Sequence, residues 1–425
     1  MITNQQLIDL LNREVVPALG CTEPIAAALA SAKAAEVLGS KPDFIETWVS
    51  SNILKNAMAV GIPGTGMTGL PIAVAIGALG GKSENCLEVL KGITQTQIDE
   101  ARHLVNDGHV CIKHKEDADL LYIECICKAG KNTARVIIRH RHTNITYVER
   151  NGEILFESEE NKPGVKPKKE YPEGLTVESI FRFATEIPFD EISFILEGGR
   201  MNRKVAEEGL KHPYGMQVGK MGLGNIEKGI LSNDLLTYAM IVTSAASDAR
   251  MDGCPLPVMS NSGSGNQGLV VSLPVTAIAE KLKSDDEAHC RALVLSHLIA
   301  IHIKSYLGQL SALCGVLVAA TGASAGITYL LGGNYQQIVY AIKNMAGGIT
   351  GMICDGAKLG CALKVSAGVC SAVQTALLAM EGIGISHLDG IIEKDIEKTI
   401  RNVGRIGSTG MVETDKLILH TMVCK

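Results

Sequence analysis

The chain has 425 residues, of which 46% are hydrophobic and 20% are charged, and its mean hydropathy is positive. A chain of this length and composition can bury a large core, which excludes a disordered or fibrous protein and favours more than one domain. The net charge is -5 and the isoelectric point is near 6.1. Because no excess of basic residues is present, we expect no nucleic-acid partner.

The N-terminus and the cysteines indicate the compartment. Residues 1–13 are polar and lack the positively charged region followed by an apolar region that a signal peptide has, so secretion is not expected. The 12 cysteines are spread through a long chain, a pattern typical of free or metal-bound thiols rather than of a small disulfide scaffold. These features predict a cytoplasmic protein.

Both ends of the chain predict helices, because alanine- and glycine-rich segments there repeat apolar residues with helical spacing. In the first hundred residues, the predicted helices lie at about 4–17, 23–38, 69–80 and 94–106. In the last part of the chain they lie at about 234–249, 286–306, 308–331, 335–347 and 362–382.

The middle of the chain has a different pattern. Residues 110–126 and 135–156 alternate β-branched and polar residues between turn signals, which predicts an antiparallel meander. A proline- and lysine-rich linker at 161–174 and a helix at about 176–185 follow. We therefore predict an α+β fold. A mainly helical Gly/Ala-rich catalytic domain would comprise residues 1–100 and 200–425, with an inserted α+β domain containing antiparallel strands at 101–199.

Two uncharged stretches, residues 57–81 and the run between Lys304 and Lys343, are long enough to cross a bilayer. The first contains two prolines and many glycines, and the second is rich in glycine, alanine and polar residues. Lipid exposure favours bulky aliphatic side chains instead. We therefore expect buried core helices and no membrane partner.

The first candidate site is the segment Gly-Cys-Thr-Glu-Pro at residues 20–24, before an alanine-rich run. Thr22 can cap a helix that has Glu23 and Pro24 in its first turn. Cys21 would then lie just outside a helix N-terminus, where partial positive charge stabilises a thiolate. Two interpretations of Cys21 are open. It is either a base or nucleophile, or a buried cysteine at a tight turn.

A second candidate is the set Cys314, Cys354 and Cys361. Its spacing does not match a zinc finger or a ferredoxin. Glycines before and between the last two cysteines allow this segment to leave helical geometry and fold its thiols onto one cofactor. Three thiolates on a cubane cluster leave one iron free as a Lewis acid. The alternative is core packing, since free cysteine is often buried.

A third candidate is the polar, glycine-rich loop at 260–268, which enters an apolar run. Its N–H groups and hydroxyls can form an anion-binding nest at a helix start, or the loop is simply flexible. A similar loop at 61–66 lacks the ending of a nucleotide-binding P-loop. His140 and His142 alternate as on a strand, and we interpret them as packing residues in preference to a zinc-binding pair. The lysines of 166–169 are interpreted as part of a solvated linker.

Three segments together resemble the L-cysteine desulfidase family, which is related to the α chain of bacterial iron-sulfur L-serine dehydratases. They are residues 20–24, residues 263–268, and residues 352–358 with Gly360 and Cys361. The resemblance spans nearly the whole chain, and the spacing of the three cysteines is its most specific part. The related serine dehydratases have a serine-rich, histidine-containing segment near the start, so Gly-Cys-Thr-Glu-Pro favours the desulfidase branch.

The resemblance implies a carbon-sulfur lyase. In that family three cysteines hold a [4Fe-4S] cluster, and a separate cysteine near the N-terminus removes the substrate's α-proton. The implied ligands are therefore Cys314, Cys354 and Cys361, and the implied base is Cys21. An open cluster iron would act as Lewis acid in the β-elimination of L-cysteine to pyruvate, ammonia and hydrogen sulfide. The expected substrate-positioning residues are Ser264, Asn266 and Gln267.

Other functions remain open at this point. The same cluster could serve an L-serine dehydratase or act on a related amino acid. A pyridoxal-phosphate lyase would use the loop at 263–268 as a phosphate cup and a lysine such as Lys220 as Schiff base. A membrane transporter and a metal-stabilised regulatory protein are further alternatives. Close-packed, glycine-rich helices also lead us to expect a homo-oligomer. The partner implied by the resemblance is a small amino-acid substrate.

Overall fold

A computed structural model describes residues 2–161, 171–308 and 310–424. Most of this part of the chain is helical, with one six-stranded sheet and one two-stranded pair. The predicted α+β, mainly helical fold is therefore confirmed. Most of the predicted linker at 161–174, including Lys166–Lys169, lies outside the described residues.

The helices follow the predicted segments closely and add several that the sequence did not indicate. Before the main part of the sheet they are α1 (Asn4–Glu14), α2 (Thr22–Leu38), α3 (Ser51–Ala57), α4 (Leu70–Gly80) and α5 (Gln95–Asn106). After it they are α6 (Val177–Glu186), α7 (Phe189–Ile192), α8 (Ile195–Lys211), α9 (Val218–Glu227), α10 (Leu235–Met251), α11 (Gly265–Leu282), α12 (Asp286–Leu307), α13 (Gly315–Leu330), α14 (Tyr335–Ile349), α15 (Cys361–Met380), α16 (Ile396–Arg405) and α17 (Val412–Val423).

The strands form two sheets. The short pair joins β1 (Pro17–Ala18) to β8 (Val258–Met259), and the large sheet contains β2 (Phe44–Val49), β3 (Val110–His114), β4 (Tyr122–Ala129), β5 (Asn132–Arg139), β6 (Ile145–Arg150) and β7 (Glu153–Glu157). Strands β4 to β7 form an antiparallel meander, as predicted. Strand β2 was not predicted. It lies between β3 and β4 and pairs with β3 in parallel, so β3 is not part of the meander.

Two large hydrophobic clusters fill the interior. The cluster that covers the large sheet takes its buried residues from positions 18–148 and from Leu310. The other is helical and takes them from positions 7–11 and 175–403. Helix α2 packs on both the sheet and α4. The domain boundaries at residues 101 and 199 stay a prediction.

Neither uncharged stretch forms a single long helix. The first is divided between α3, a turn and α4, and the second between the end of α12, α13 and the start of α14. Among the described residues one helix, Cys361–Met380, is long and apolar enough to cross a membrane, and 39% of its apolar window is buried. It packs against α10, α13 and α14, and one such helix is weak evidence for a membrane span.

Candidate active site

Cys21 lies buried at the start of α2, and it is the N-cap residue itself. The prediction that Thr22 caps this helix is wrong, because Thr22 is already the first helical residue. Gly20 precedes the cap with φ at +78°, and a Cβ there would lie 2.6 Å from Cγ of Pro63. Only glycine fits this position. The loop at 61–66 therefore holds the Cys21 turn in place.

A hydrogen-bonded network surrounds the Cys21 thiol. Sγ donates to Oε2 of Glu23 at 3.2 Å, and Oε1 of the same carboxylate accepts from Asn56 at 3.1 Å. Nε2 of His142, on the loop between β5 and β6, lies 3.9 Å from Oε1. His142 also lines a cavity of about 420 Å³, together with Ser262 and other residues. The sheet therefore contributes a side chain to the surroundings of Cys21.

These neighbours decide the charge of the thiol. Burial, and after it the Glu23 carboxylate, raise the pKa of Cys21 well above its ordinary value, and the Arg250 guanidinium offsets only part of this. The positive end of a helix contributes only about 0.3–1 kcal/mol, so it does not suffice to ionise the thiol. Burial of Glu23 acts to raise its pKa, but His142 and the Cys21 thiol outweigh burial and lower that pKa to about 2.

Arg250, at the end of α10, connects the Cys21 turn to the glycine-rich loop. Nη2 donates to the carbonyl of Gly20 at 2.9 Å, and Nη1 donates to Oδ1 of Asn266 at 3.1 Å. A Cβ at Gly265 would lie 2.3 Å from Nε of Arg250. Strands β1 and β8 pair just before these two loops and fix their separation. The loop is therefore packed tightly rather than flexible.

The three residues predicted to position substrate have different surroundings. Ser264 is the N-cap of α11 and accepts from the amide of Gln267, and Asn266 is bound to Arg250. Gln267 donates from Nε2 to Oδ1 of Asn261 at 2.8 Å, while its buried Oε1 has no hydrogen-bond partner among the described residues. Of the three, Gln267 therefore retains a free buried acceptor.

Backbone pairing brings Cys314 and Cys354 together. The amide of Cys314 donates to the carbonyl of Met352 at 2.9 Å, and the amide of Cys354 donates to that of Ala312 at 2.7 Å. The segment between α14 and α15 leaves helical geometry, as its glycines predicted. Cys361 begins α15, and Cys314 is the N-cap of α13. Two of the three thiols therefore lie at helix N-termini.

The three cysteines also interact electrostatically. Burial, and then Cys354, raise the pKa of Cys314 to about 12, and Cys361 adds to this effect. Burial, and among the thiols Cys354, raise the pKa of Cys361 as well. Cys21 packs with Cys361 in one small apolar cluster, against Val60 and Met251. The structure therefore brings all four predicted cysteines into one region.

Lysines support the segment that carries Cys354. Lys55 is almost fully buried, donates to the carbonyl of Cys354 at 3.3 Å and pairs with Asp415 of α17. Lys364 donates to the carbonyl of Ile353 at 2.8 Å and pairs with Asp355, which also pairs with Lys358. Each of these ammonium groups therefore has a carboxylate partner.

A fourth lysine, Lys304 in the last turn of α12, is buried and has no such partner within the part of the chain that the structure describes. Burial lowers its pKa, and the groups that oppose this are Cys354, Glu23, Cys314 and Glu14. Lys304 is therefore close enough to interact with both the cysteine set and Glu23 of the Cys21 turn.

The donor set of three free cysteines has the chemistry of iron-sulfur cluster ligands. Within residues 2–161, 171–308 and 310–424, no group of three or more His, Cys, Asp or Glu residues could hold a metal ion. A cubane binds each ligand sulfur at a different iron, so its ligands lie further apart than those of one ion. Cys314, Cys354 and Cys361 are free and interact electrostatically with one another, as ligands of one cluster would.

Sequence reasoning missed several residues of this region. Glu23 was considered only as a first-turn residue, His142 only with His140, and Arg250 and Lys304 were not singled out. Lys304 did leave a signal, because it is a single charge at the end of the apolar run of α12. The pyridoxal-phosphate alternative gains nothing here, since Nζ of Lys220 donates to the carbonyl of Lys211 at 3.3 Å.

Comparison with known proteins identifies the family. The model of the serine dehydratase alpha chain matches residues 84–420. The chain belongs to this family. It is 53% identical to a UPF0597 protein of Parabacteroides distasonis over 425 residues, covering 100% of this chain and 99% of the relative. A UPF0597 protein of Oleidesulfovibrio alaskensis is 52% identical over 421 residues, covering 98% and 97%.

Family membership supports a coarse function. A serine dehydratase alpha-chain relative is a lyase-type enzyme, and proteins of this family typically depend on an iron-sulfur cluster. The names of the two UPF0597 relatives specify no substrate.

Proposed function

We propose that the protein is an iron-sulfur lyase that eliminates the β-substituent of L-cysteine, yielding pyruvate, ammonia and hydrogen sulfide. The observation that carries this proposal is the packing of Cys21 against Cys361, one of three neighbouring cysteines. It supports a site in which a group able to move a proton lies beside a metal cluster.

Cys314, Cys354 and Cys361 would hold a [4Fe-4S] cluster. When bound, such a cluster supplies a Lewis-acidic iron that favours departure of a poor leaving group. The N-termini of α13 and α15 add partial positive charge at two of the ligands. The buried Lys55 donates a hydrogen bond to the carbonyl of Cys354.

Cys21 would accept the substrate's α-proton at Sγ. Its thiol must first lose its own proton, and the hydrogen bond to Oε2 of Glu23 orients the S–H for that transfer. Because the pKa of Glu23 is about 2, this carboxylate would relay the proton onward and not keep it. The positive charge of Arg250 stabilises the negative charge that then develops at the sulfur. The side chains of Val60 and Met251 keep water away from Cys21. Aminoacrylate, the product of elimination, tautomerises and hydrolyses in water to pyruvate and ammonia.

A second candidate function is L-serine dehydration, and the family match favours it. Serine and cysteine differ only in the atom bonded to the β-carbon, which is oxygen in serine and sulfur in cysteine. The same residues would therefore serve both reactions. The Gly-Cys-Thr-Glu-Pro turn supports cysteine as the substrate.

The test begins with anaerobic purification and quantitation of iron and acid-labile sulfide. Release of sulfide and pyruvate is then measured with L-cysteine, and release of pyruvate with L-serine. We expect a bound cluster and a higher kcat/KM for L-cysteine. Iron-free, colourless protein with intact thiols would overturn the proposal, whereas a higher kcat/KM for L-serine would favour the second candidate.

The role of Cys21 is tested with Cys21→Ser. We expect normal iron content and a kcat lower by about 10²–10⁴-fold, the usual contribution of a general base. Cys111→Ser is a matched control, because Cys111 lies on strand β3 and not among the cysteines of the site. A fully active Cys21 variant would contradict the assignment.

A further inference from the structure

Lys304 is a cation on a buried residue, which is 7% exposed. Among the residues that the structure describes, its ammonium group makes no hydrogen bond or ion pair, and it is not one of the fully enclosed polar atoms, so a small ligand can reach it. The neighbouring Lys55, Lys358 and Lys364 each pair with a carboxylate. A buried charge without a partner is costly. Lys304 is therefore prepared for an anion that the folded chain does not supply.

The surroundings of Lys304 indicate where that anion would lie. The groups that interact with its charge are Cys354 and Cys314 of the cysteine set, Glu23 beside Cys21, and Glu14. An anion at Lys304 would thus be near two residues of the three-cysteine set and near Glu23, which accepts the hydrogen bond of the Cys21 thiol. This is the position that the carboxylate of an amino acid would occupy if its α-carbon faced Cys21.

Gln267 supplies an unpaired hydrogen-bond acceptor, whereas Lys304 supplies a donor. It is 1% exposed, and its Oε1 has no hydrogen-bond partner among the described residues. A Cβ built at Gly315 would lie 3.3 Å from this oxygen, so the oxygen faces the start of α13 beside Cys314. A buried amide oxygen of this kind can accept a hydrogen bond from an ammonium group.

The orientation of the Gln267 amide follows from its neighbours. Asn261 donates from Nδ2 to Nδ1 of His297 at 3.0 Å and to the His297 carbonyl at 3.4 Å. Its Oδ1 therefore faces Gln267 and accepts from Nε2. The oxygen of Gln267, and not its nitrogen, is consequently the unpaired atom.

We propose that Lys304 and Gln267 recognise the two charged ends of a zwitterionic amino acid, Lys304 binding the α-carboxylate and Gln267 the α-ammonium group. The proposal rests on the proposed function and specifies how that site selects its substrate. It explains why one buried donor and one buried acceptor, from different helices, are left unpaired beside the same cysteine.

The experiment compares Lys304→Met and Gln267→Met in the anaerobic holoprotein, with two probes that each lack one charged end. 3-Mercaptopropionate lacks the amine, and cysteamine lacks the carboxylate. We expect Lys304→Met to weaken inhibition by 3-mercaptopropionate about 10- to 100-fold and to leave inhibition by cysteamine unchanged. Gln267→Met should do the reverse. The KM for L-cysteine should rise in both variants while the iron content stays normal.

Three further measurements make the test decisive. Lys343→Met is the matched control, because Lys343 is also 7% exposed but donates to the carbonyl of Lys394 at 3.0 Å. Lys304→Arg keeps the charge and should retain most of the affinity for 3-mercaptopropionate. Thermal shifts of the holoprotein with each probe report binding without turnover.

The possible outcomes separate this proposal from the proposed function. If the probes show the crossed pattern in thermal shifts but L-cysteine releases no sulfide, the binding site stands and the proposed reaction fails. Equal weakening of both probes in either variant would overturn the assignment of the two ends. Loss of iron from Lys304→Met would overturn it as well, since Lys304 would then balance the charge of the cluster. If Lys304→Met does not fold, two other measurements test the role of Lys304. One is the affinity of Lys304→Arg for 3-mercaptopropionate, and the other is the affinity of the wild type for L-cysteine and for its methyl ester. Equal affinity of the wild type for these two ligands would refute the proposal.

Discussion

The two halves of the candidate active site are built in different ways. Around Cys21 a network of side chains from α2, α3 and the β5–β6 loop surrounds one carboxylate, which accepts hydrogen bonds from the thiol and from Asn56 and lies 3.9 Å from the imidazole of His142. Around Cys314 and Cys354 the backbone itself is paired, and ion pairs support it from outside. A side-chain network can redistribute protons, whereas paired backbone fixes the positions of ligands. This difference is the one expected if, as we propose, the first half transfers protons and the second half holds the cofactor.

The largest expected effect comes from the cysteines of the second half. Cys314→Ser, Cys354→Ser and Cys361→Ser, made singly, should each abolish iron binding and turnover, because a cluster with one protein ligand fewer is not held. Iron quantitation and the sulfide-release assay measure both effects. Cys370→Ser is the control, since Cys370 lies on the same helix as Cys361. Retention of iron and activity by any of the three variants would remove that residue from the ligand set.

In the first half, Glu23→Gln should lower kcat by about 100-fold without loss of iron. The amide keeps the shape of the carboxylate but cannot accept the proton of the Cys21 thiol. Glu36→Gln, on the exposed part of the same helix, is the matched control and should retain full activity. An unchanged kcat in Glu23→Gln would show that the carboxylate takes no part in proton transfer.

The sequence predicted the parts of this site that depend on local structure. The Cys21 turn lies at a helix N-terminus as expected, and the glycines after α14 interrupt the helix between Cys354 and Cys361. The mainly helical fold and the meander followed from periodicity and turn signals. Strand β2 did not, because a single isolated strand of six residues gives a weak pattern.

The contacts that sequence reasoning missed join residues far apart in the chain. His142 approaches Glu23 across 119 residues only because the sheet packs on α2. Lys304 could be recognised as a single charge at the end of the apolar run of α12, but its neighbours could not be known before the helices were packed. The raised pKa of Cys21 is similarly a result of burial, which a helix-end argument does not include.

The backbone of the second half can be tested at a glycine. Gly356 has φ at +88°, and a Cβ there would lie 2.3 Å from the carbonyl oxygen of Lys55. Gly356→Ala should therefore destabilise the protein by about 3 kcal/mol and reduce its iron content. Gly348→Ala is the control, because a Cβ at Gly348 meets no atom within 4 Å. It should change stability by less than about 1 kcal/mol. Denaturant unfolding measures both, and equal stability of the two variants would contradict the role of the close approach.

The smallest expected effect is a pH dependence of stability that arises at His297, behind Gln267. Burial lowers the pKa of this imidazole from 6.5 to about 3. The unfolded chain therefore binds a proton below pH 6.5 that the folded chain does not, so stability is complete above pH 6.5 and falls as the pH decreases toward 3. At pH 5 the loss from this residue should be about 2 kcal/mol. Denaturant unfolding at pH 7 and pH 5 measures it.

The control isolates this contribution from other acid effects. His297→Gln should show a smaller loss of stability between pH 7 and pH 5 than the wild type, whereas substitution of the exposed His387 by Gln should leave the loss unchanged. The same dependence in wild type and His297→Gln would mean that the imidazole is accessible to protons in the folded state. Asn261 would then not be held in a single orientation, and the unpaired oxygen of Gln267 would no longer be fixed toward the start of α13. A change in the protonation of one buried histidine therefore bears directly on how the second half of the site would bind an amino acid.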